Sequence, residues 1–180
     1  QEDSLIWASG PTYPYHFVRD ALHIDAIGQK SIGSLAAISA IGIIRHESPF
    51  IGLMPLNIIV SENQIRIPFH VPCPPLCIDT IAVSKADNYG FNVIRKDNTD
   101  IISNVSINQD TVIIDCKESP IGCKIRYAVN GEYMKGGCVL GPRGNLRDSQ
   151  GDSKTIVISG KTYSLHNWCY MFDYLCTPNK

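Results

Sequence analysis

The sequence has no cluster of basic residues and carries little charge of either sign. Its net charge is −1, and charged residues make up 18% of the 180 residues. Proteins that bind nucleic acid or anionic membranes concentrate Lys and Arg on one surface in order to engage phosphate groups. We therefore expect neither nucleic acid nor a membrane as a main partner.

Long uncharged apolar runs are also missing. The longest apolar stretch, residues 32–44, is interrupted by Ser34, Ser39 and two glycines. It is shorter than the roughly 18 residues that indicate a transmembrane helix, so no membrane span is expected. The acidic start, Gln1-Glu2-Asp3, differs from the basic and then apolar layout of a signal peptide.

Cysteines are present, but their number, seven, is odd. An odd count argues against a complete disulfide framework, and most of these cysteines stand among apolar residues, where a free thiol packs as a small hydrophobe. We therefore expect reduced cysteines, as in a cytosolic protein. A zinc site at His70-x2-Cys73-x3-Cys77 is the alternative. Prolines crowd that segment and no second ligand pair stands at a standard offset, so no metal and no cofactor are expected.

One helix and one change of pattern divide the chain. Residues 25–45 predict a helix with Asp25 as its N-cap, because the Asp25 carboxylate can accept from the first free backbone amides. Apolar residues dominate its later turns, so we expect this helix to be well buried. Ser48-Pro49 and Pro55 then mark a boundary, which gives a first segment of residues 1–47 and a second of 48–180.

The second segment changes to a period of two, which is typical of strands with one buried face. Short segments rich in β-branched residues and separated by turn residues favour an antiparallel β-sandwich. Residues 136–152 are interpreted as a long ordered loop. The predicted strands are 57–61, 64–70, 79–83, 90–96, 101–107, 111–116, 122–129 and 155–159.

Asp20 and His23 stand on a predicted loop directly before the helix. A neutral imidazole can take the proton of a nucleophile, and a carboxylate beside it selects the tautomer and stabilises the imidazolium that forms. An acid and a histidine at this spacing also occur on surfaces with no catalytic role. The spacing by itself therefore leaves both interpretations open.

Asp20-Ala-Leu-His23, followed by a glycine-containing apolar helix, resembles the final block of the SGNH/GDSL hydrolases. The resemblance implies that Asp20 is the orienting carboxylate and His23 the base. In that family the nucleophilic Ser and the oxyanion-hole Gly and Asn belong to earlier blocks. Only nineteen residues precede Asp20, and Gln1-Glu2-Asp3-Ser4-Leu5 lacks the glycine of the family's Gly-Asp-Ser-Leu block, so we interpret Ser4 as coincidental. The remainder of the catalytic domain is thus expected on polypeptide outside this chain.

Five later segments follow one another in an order similar to the β-sandwich that closes sialate O-acetylesterase-type carbohydrate esterases. The resemblance implies an acetylated carbohydrate substrate, with Arg126, Asn145, Arg147 and Trp168 as substrate-binding residues. The segments are Gly90-Phe91-Asn92-Val93, Thr111-Val112-Ile113-Ile114, Ile125-Arg126-Tyr127-Ala128, Gly144-Asn145-Leu146-Arg147-Asp148-Ser149 and Leu165-His166-Asn167-Trp168.

The two resemblances together imply a mainly β protein, an antiparallel β-sandwich preceded by the terminal loop and helix of an α/β SGNH hydrolase domain. Similar esterase modules occur on bacteriophage tailspikes, which would imply a homotrimer in the virion; the bacterial cytoplasm is the other expected location. Each C-terminal candidate also has a structural interpretation, as an ion pair, a loop hydrogen bond or core packing. The alternative function is a non-catalytic carbohydrate-binding or structural module.

Overall fold

The computed structural model describes residues 8–45, 51–132 and 134–178. Ser4 and the predicted boundary between residues 47 and 48 lie outside these residues. Within the described ranges the chain is mainly β, and the strands pair in antiparallel sheets, as the sequence predicts.

Helices and strands follow one another with one long helix near the N-terminus and short strands thereafter. The helices are α1 (Ala26–Ile44) and α2 (Gly137–Leu140). The strands are β1 (Met54–Pro55), β2 (Ile59–Ser61), β3 (Gln64–His70), β4 (Cys77–Ile78), β5 (Phe91–Ile94), β6 (Ile102–Asn108), β7 (Thr111–Cys116), β8 (Lys124–Tyr127), β9 (Leu146–Arg147), β10 (Thr155–Ile158), β11 (Lys161–Ser164) and β12 (Phe172–Leu175).

Two sheets carry most of the fold. The larger has the order β1-β3-β7-β6, with β2 also paired to β3, and the smaller has the order β12-β8-β5. Alternate residues of β3 and β7 are buried, such as Ile65 and Ile67 on β3 and Ile114 on β7. These residues belong to the same buried cluster as Phe91 and Tyr127 of the smaller sheet. One hydrophobic core therefore joins the two sheets.

The strand predictions succeed where the alternation of polar and apolar residues is longest. Strands β3 and β7 have the predicted bounds, whereas the predicted strand 79–83 is wrong. There the Asp79 carboxylate accepts the backbone N–H groups of Ile81 and Ala82 at 2.9 and 2.8 Å, which closes a turn. The side chain of Ile81 is consequently 97% exposed.

The predicted loop 136–152 holds more regular structure than expected. It contains α2 and β9, and β9 pairs with β4 through Cys77–Arg147 and Ile78–Leu146. Two-residue strands show no periodicity in the sequence, which is why β1, β4 and β9 were not predicted. The β10–β11 hairpin was predicted only in its first strand.

Helix α1 starts where the sequence predicts but is less buried than predicted. The Asp25 carboxylate accepts the backbone N–H of Gly28 at 2.7 Å, which confirms Asp25 as the N-cap. Only Gly28, Ser31, Leu35 and Ser39 are buried, while Ile41 and Ile44 are exposed. Apolar residues surround the helix on every side, so one packed seam leaves most of them uncovered.

Helix α1 is also long and apolar enough, by length and composition, to cross a membrane, and it is the one such helix in the described ranges. Core helices of soluble proteins and signal sequences meet the same criterion. The sequence predicts no membrane span because Lys30, in the second turn of α1, interrupts the uncharged apolar run.

Candidate functional site

The segment that leads to Asp20 is attached to the β core by Tyr13. This side chain is buried, its hydroxyl donates to the carbonyl of Cys169 at 2.9 Å, and its ring meets those of Tyr127 and Trp168 edge-on. The sequence of residues 1–19, which is rich in aromatic and turn-forming residues, predicts only an irregular segment that lies over other structure. The position of Asp20 therefore depends on packing between residues far apart in the chain.

A closed loop presents Asp20 and His23. Phe17 and Ile24 form an antiparallel bridge, and the N–H of Val18 donates to the carbonyl of His23 at 2.9 Å. Ala21 turns the chain at its tip with φ of 56°, in the left-handed region. The bridge and the turn hold the four residues of the motif in one compact loop directly before α1.

The carboxylate of Asp20 makes three hydrogen bonds within this loop. Its Oδ1 accepts the backbone N–H groups of Leu22 and His23, each at 2.9 Å. Its Oδ2 lies 2.6 Å from Nδ1 of His23. The side chains of His23 and Asp20 are 70% and 48% exposed, so the pair stands at the surface. The structure thus brings together the two residues for which the family resemblance implies catalytic roles.

The electrostatics of the pair select one role for each residue. The backbone N–H of His23, then its side chain and the N–H of Leu22, lower the pKa of Asp20 to about 2. An ionised carboxylate only accepts, so Nδ1 of His23 must donate to it. In a neutral imidazole, Nε2 is then the acceptor, and it has no partner within the described residues. That is the tautomer required of a general base.

A cleft of about 200 Å³ adjoins this loop. Arg19 and Ala21 line it from the loop side, and Lys135 and Leu140 line it from the segment that contains α2. The N–H of Cys138 donates to the carbonyl of Tyr15 at 3.1 Å and holds the two segments together. Asp20 and His23 do not line the cleft. Lys135 was not predicted, since a single exposed lysine gives no pattern in the sequence.

Arg126 lies on β8 and pairs with the opposite strand. Its Nε donates to Oδ2 of Asp173 on β12 at 3.0 Å, and Asp173 also lies 3.7 Å from Nζ of Lys124. Cross-strand neighbours of opposite charge commonly form such pairs at a sheet surface. This contact is the structural role that the sequence left open for Arg126.

Asn145 and Arg147 form part of a buried network. The fully buried Asn145 amide donates to the carbonyls of Asp79 and Val83, each at 2.9 Å, and accepts from Ala86 at 2.9 Å. Arg147 Nε donates to Oδ2 of Asp79 at 2.7 Å. These contacts connect β9 to the 79–86 turn, and the Asn145 side chain presents no free polar group to a ligand.

Trp168 lies beside this network, within the core. Trp168 is buried. Its backbone forms an isolated antiparallel bridge with Arg147 of β9. His166 meets the Trp168 ring edge-on, and burial, aided by Arg147, lowers the pKa of His166. Asn145, Arg147 and Trp168 therefore lie together, but as packing and hydrogen-bonding residues, with Asp20 and His23 in a separate loop.

The cysteines form no disulfide, and all seven thiols are free. Within residues 8–45, 51–132 and 134–178, no three His, Cys, Asp or Glu side chains are placed to hold a metal ion. Cys77 is one of the three ligands of the alternative zinc site, and its Sγ lies 3.6 Å from Oγ of Ser149. Burial raises the pKa of Cys116 to about 11 and that of Cys176 to about 12, so these thiols remain protonated.

Comparison of this chain with protein-family models, with curated proteins and with solved structures found no match. The likeness to SGNH esterases therefore rests on the residues quoted above and on the geometry of Asp20 and His23.

Proposed function

We propose that this chain supplies the general base and its orienting carboxylate to an SGNH-type carbohydrate O-acetylesterase. The observation that carries the proposal is the short contact, 2.6 Å, between Oδ2 of Asp20 and Nδ1 of His23 on an exposed loop. The carboxylate is also held by the backbone N–H groups of Leu22 and His23, so its position does not depend on the contact with the imidazole ring alone.

In the proposed reaction, His23 first acts as base toward a serine on polypeptide outside this chain. Its Nε2 takes the hydroxyl proton while the serine oxygen bonds to the carbonyl carbon of the acetyl ester. The bond between that carbon and the sugar oxygen then breaks, and the departing oxygen receives the proton from Nε2. Asp20 remains ionised and stabilises the imidazolium between these two proton transfers.

Deacylation repeats the sequence with water. His23 Nε2 takes a proton from water as the water oxygen bonds to the acetyl carbon, and the serine oxygen leaves with that proton. Acetate and the free serine result. The acetylated sugar is the substrate implied by the likeness of the C-terminal segments to carbohydrate esterases.

Two further features support the proposal. Helix α1 follows the loop directly and leaves Ile41 and Ile44 exposed, as expected of a helix that the rest of a catalytic domain would cover. The two main sheets contribute to one core, which supports the arrangement of a β-sandwich beside that domain.

The non-catalytic module is the weaker alternative. It predicts an exposed aromatic groove around Trp168 and a histidine without a carboxylate partner. Trp168 and Phe172 are instead buried, and His23 has Asp20 as its partner. Tyr174 is exposed but stacks on Phe172, with ring centroids 5.6 Å apart.

The test is intact mass spectrometry of natively purified material, under denaturing and then non-denaturing conditions, followed by assay on p-nitrophenyl acetate and O-acetylated sugars. We expect a second, larger polypeptide to accompany the chain and hydrolysis to be lost in His23→Ala. His70→Gln, a change at the end of β3, is the control and should retain activity.

Hydrolysis that persists in His23→Ala would overturn the proposal. The 180 residues purified alone should be inactive, because the proposal assigns the nucleophile and the oxyanion hole to other polypeptide. Activity of the chain alone that vanished in both His23→Ala and Ser4→Ala would instead identify Ser4 as the nucleophile.

A further inference from the structure

The smaller sheet has two edge strands, and the chain covers only one of them. At the β5 edge, the carbonyl of Val93 accepts the N–H of Ile101 at 3.0 Å, and the N–H of Val93 donates to Oδ1 of Asp100 at 3.3 Å. At the other edge, β12 pairs with β8 and with no further strand in the described ranges. An uncovered edge strand presents backbone donors and acceptors on which another strand can pair.

The register of β12 shows which of its backbone groups point outward. Just beyond the end of β12, the N–H of Cys176 donates to the carbonyl of Cys123 at 2.8 Å, so Cys176 faces the β8 side. Successive residues of an antiparallel strand alternate between its two sides. Asp173 and Leu175 therefore direct their N–H and C=O groups away from β8. On that side neither residue makes a backbone hydrogen bond to any part of the chain that the structure describes.

Exposed and largely apolar side chains lie beside this edge. Tyr174 and Leu175 are exposed on β12, and Leu56 is exposed on the chain that follows β1. All three line a cleft of about 320 Å³ next to the edge. Apolar side chains grouped beside unpaired backbone groups are typical of a surface that another chain covers.

The charges along the edge suit a second copy of the same strand. The Asp173 carboxylate accepts from Arg126 on β8, and Leu175 stands opposite Lys124 on β8. Two antiparallel copies of β12, related by a twofold axis at Tyr174, would place each Asp173 opposite Leu175 of the other copy. Each Asp173 would then lie between its own Arg126 and the Lys124 of the second copy, with no like charge opposite.

Other registers are less favourable. A shift by two residues in one direction sets the two Asp173 carboxylates opposite each other, and like charges directly opposite are destabilising. A shift by two residues in the other direction pairs Asp173 with Thr177, which lies beyond the end of β12. Only the pairing centred on Tyr174 joins the outward groups of both strands within their regular length.

We propose that β12 pairs with β12 of a second copy of this chain, antiparallel and with the two Tyr174 residues opposite each other. Asp173 and Leu175 of each copy exchange backbone hydrogen bonds with Leu175 and Asp173 of the other. The second Tyr174 ring lies in the cleft beside Leu56. This contact is isologous and closes after two copies. It does not involve the Asp20–His23 loop and does not depend on the proposed esterase.

Sedimentation equilibrium of the chain in reducing buffer, up to about 1 mM, tests the pairing. We expect a monomer–dimer equilibrium with a Kd of about 0.1 mM, because two short strands bury less surface than a stable dimer does. Leu175→Pro removes an outward N–H without breaking a bond to β8, so the fold should persist and dimerisation should be lost. Leu175→Ala, the matched control, keeps this N–H and should weaken dimerisation only about fivefold.

Two cysteine variants test the register. Tyr174→Cys should form an intermolecular disulfide with oxidised glutathione, which is reduced to two glutathione thiols, because residues opposite each other in a non-hydrogen-bonded pair have Cα atoms about 4.5 Å apart. Leu175→Cys stands opposite residue 173 of the other copy and should cross-link at least about tenfold more slowly. The unsubstituted chain measures the background from its own seven thiols.

Three outcomes would overturn the proposal. The first is a chain that remains monomeric at about 1 mM. The second is a Leu175→Pro variant with an unchanged circular dichroism spectrum that still dimerises, which would locate the contact on another surface. The third is cross-linking of Leu175→Cys as fast as that of Tyr174→Cys, which would exclude the register centred on Tyr174.

Discussion

The hydroxyl oxygen of Tyr13 lies 3.4 Å from that of Tyr127, a residue 114 positions further along the chain. The Tyr127 hydroxyl also accepts the backbone N–H of Leu146 at 2.8 Å, and burial raises the pKa of both tyrosines well above the usual value. This pair connects three segments: the one that leads to Asp20, the smaller sheet, and β9. The loop that carries His23 is therefore supported by the β core.

Tyr13→Phe and Tyr127→Phe should each destabilise the protein by about 1–3 kcal/mol, because each leaves a buried backbone group without its hydrogen-bond partner. Tyr13→Phe removes the donor to the Cys169 carbonyl. Tyr127→Phe removes the acceptor of the Leu146 N–H. The double variant should lose less than the sum of the two, since the hydroxyls contact each other. Urea denaturation measures the free energy of unfolding of the two single variants and of the double variant. Tyr163→Phe, at a half-buried position on β11, should change stability by less than about 0.5 kcal/mol. Single variants no less stable than this control would contradict the network.

Asp20→Asn should reverse the tautomer of His23. Oδ1 of residue 20 accepts two backbone N–H groups and must remain an oxygen, so the new amide nitrogen takes the place of Oδ2. It then donates to Nδ1 and leaves the proton on Nε2. Imidazole ¹⁵N shifts measure the change, and hydrolysis by the assembled enzyme should fall about 10⁴-fold.

The control for this variant is Asp97→Asn. The Asp97 carboxylate accepts the backbone N–H of Thr99 at 3.1 Å in a similar local turn, without a histidine beside it. It should leave the His23 tautomer and hydrolysis unchanged. A proton that stays on Nδ1 of His23 in Asp20→Asn would show that the carboxylate does not orient the ring.

Gly28→Ala and Gly33→Ala should have opposite effects on α1. A methyl group at Gly28 would clash with Cγ2 of Ile24 and lie 2.8 Å from Cβ of Tyr15, whereas nothing lies within 4 Å of one at Gly33. The first change should destabilise by about 1–3 kcal/mol through overpacking. The second should stabilise by about 0.5–1 kcal/mol through helix propensity. Thermal melts followed by circular dichroism test the pair, and equal stability of the two variants would contradict the close packing at Gly28.

Stability should fall as pH drops below about 6.5, in part because of His166. Its Nδ1 accepts the N–H of Gly151 at 3.1 Å, and burial followed by the Arg147 charge lowers its pKa below the usual 6.5. The unfolded chain therefore binds a proton at a higher pH than the folded chain does, so acid favours unfolding until the folded pKa is passed. Above pH 6.5 the residue contributes no slope.

His166→Gln should flatten this pH dependence, measured by urea denaturation between about pH 5 and 7, the window set by the histidine shift. The matched variant His70→Gln controls for the loss of a histidine elsewhere. An unchanged slope in His166→Gln would mean that other groups account for the acid sensitivity. The urea midpoint at a single pH does not test this prediction, because His166→Gln also removes the acceptor of the Gly151 N–H and so changes stability at every pH.

Local patterns account for the elements that were predicted correctly. The alternation in β3 and β7 extends over six or seven residues, and the N-cap at Asp25 depends on an acceptor three residues before Gly28. The contact between Asp20 and His23 is of the same kind, since it joins residues three positions apart in one loop. The prediction of a strand at 79–83 was wrong because the Asp79 carboxylate accepts the backbone N–H of Ala82, and this local hydrogen bond competes with strand pairing. The alternation of polar and apolar residues does not reveal such a bond.

The sequence therefore predicted the features that form between residues close together in the chain. These are the strand periodicity, the start of α1 and the Asp20–His23 pair. Tertiary packing decided the rest. It buried Tyr13 and Trp168 together, engaged the amide of Asn145 in hydrogen bonds to the 79–86 turn, and left Oδ1 of Asn92 buried without a hydrogen-bond partner among the described residues. These outcomes depend on which distant residues meet, and a buried polar group is either satisfied or left free only once its neighbours in space are in place.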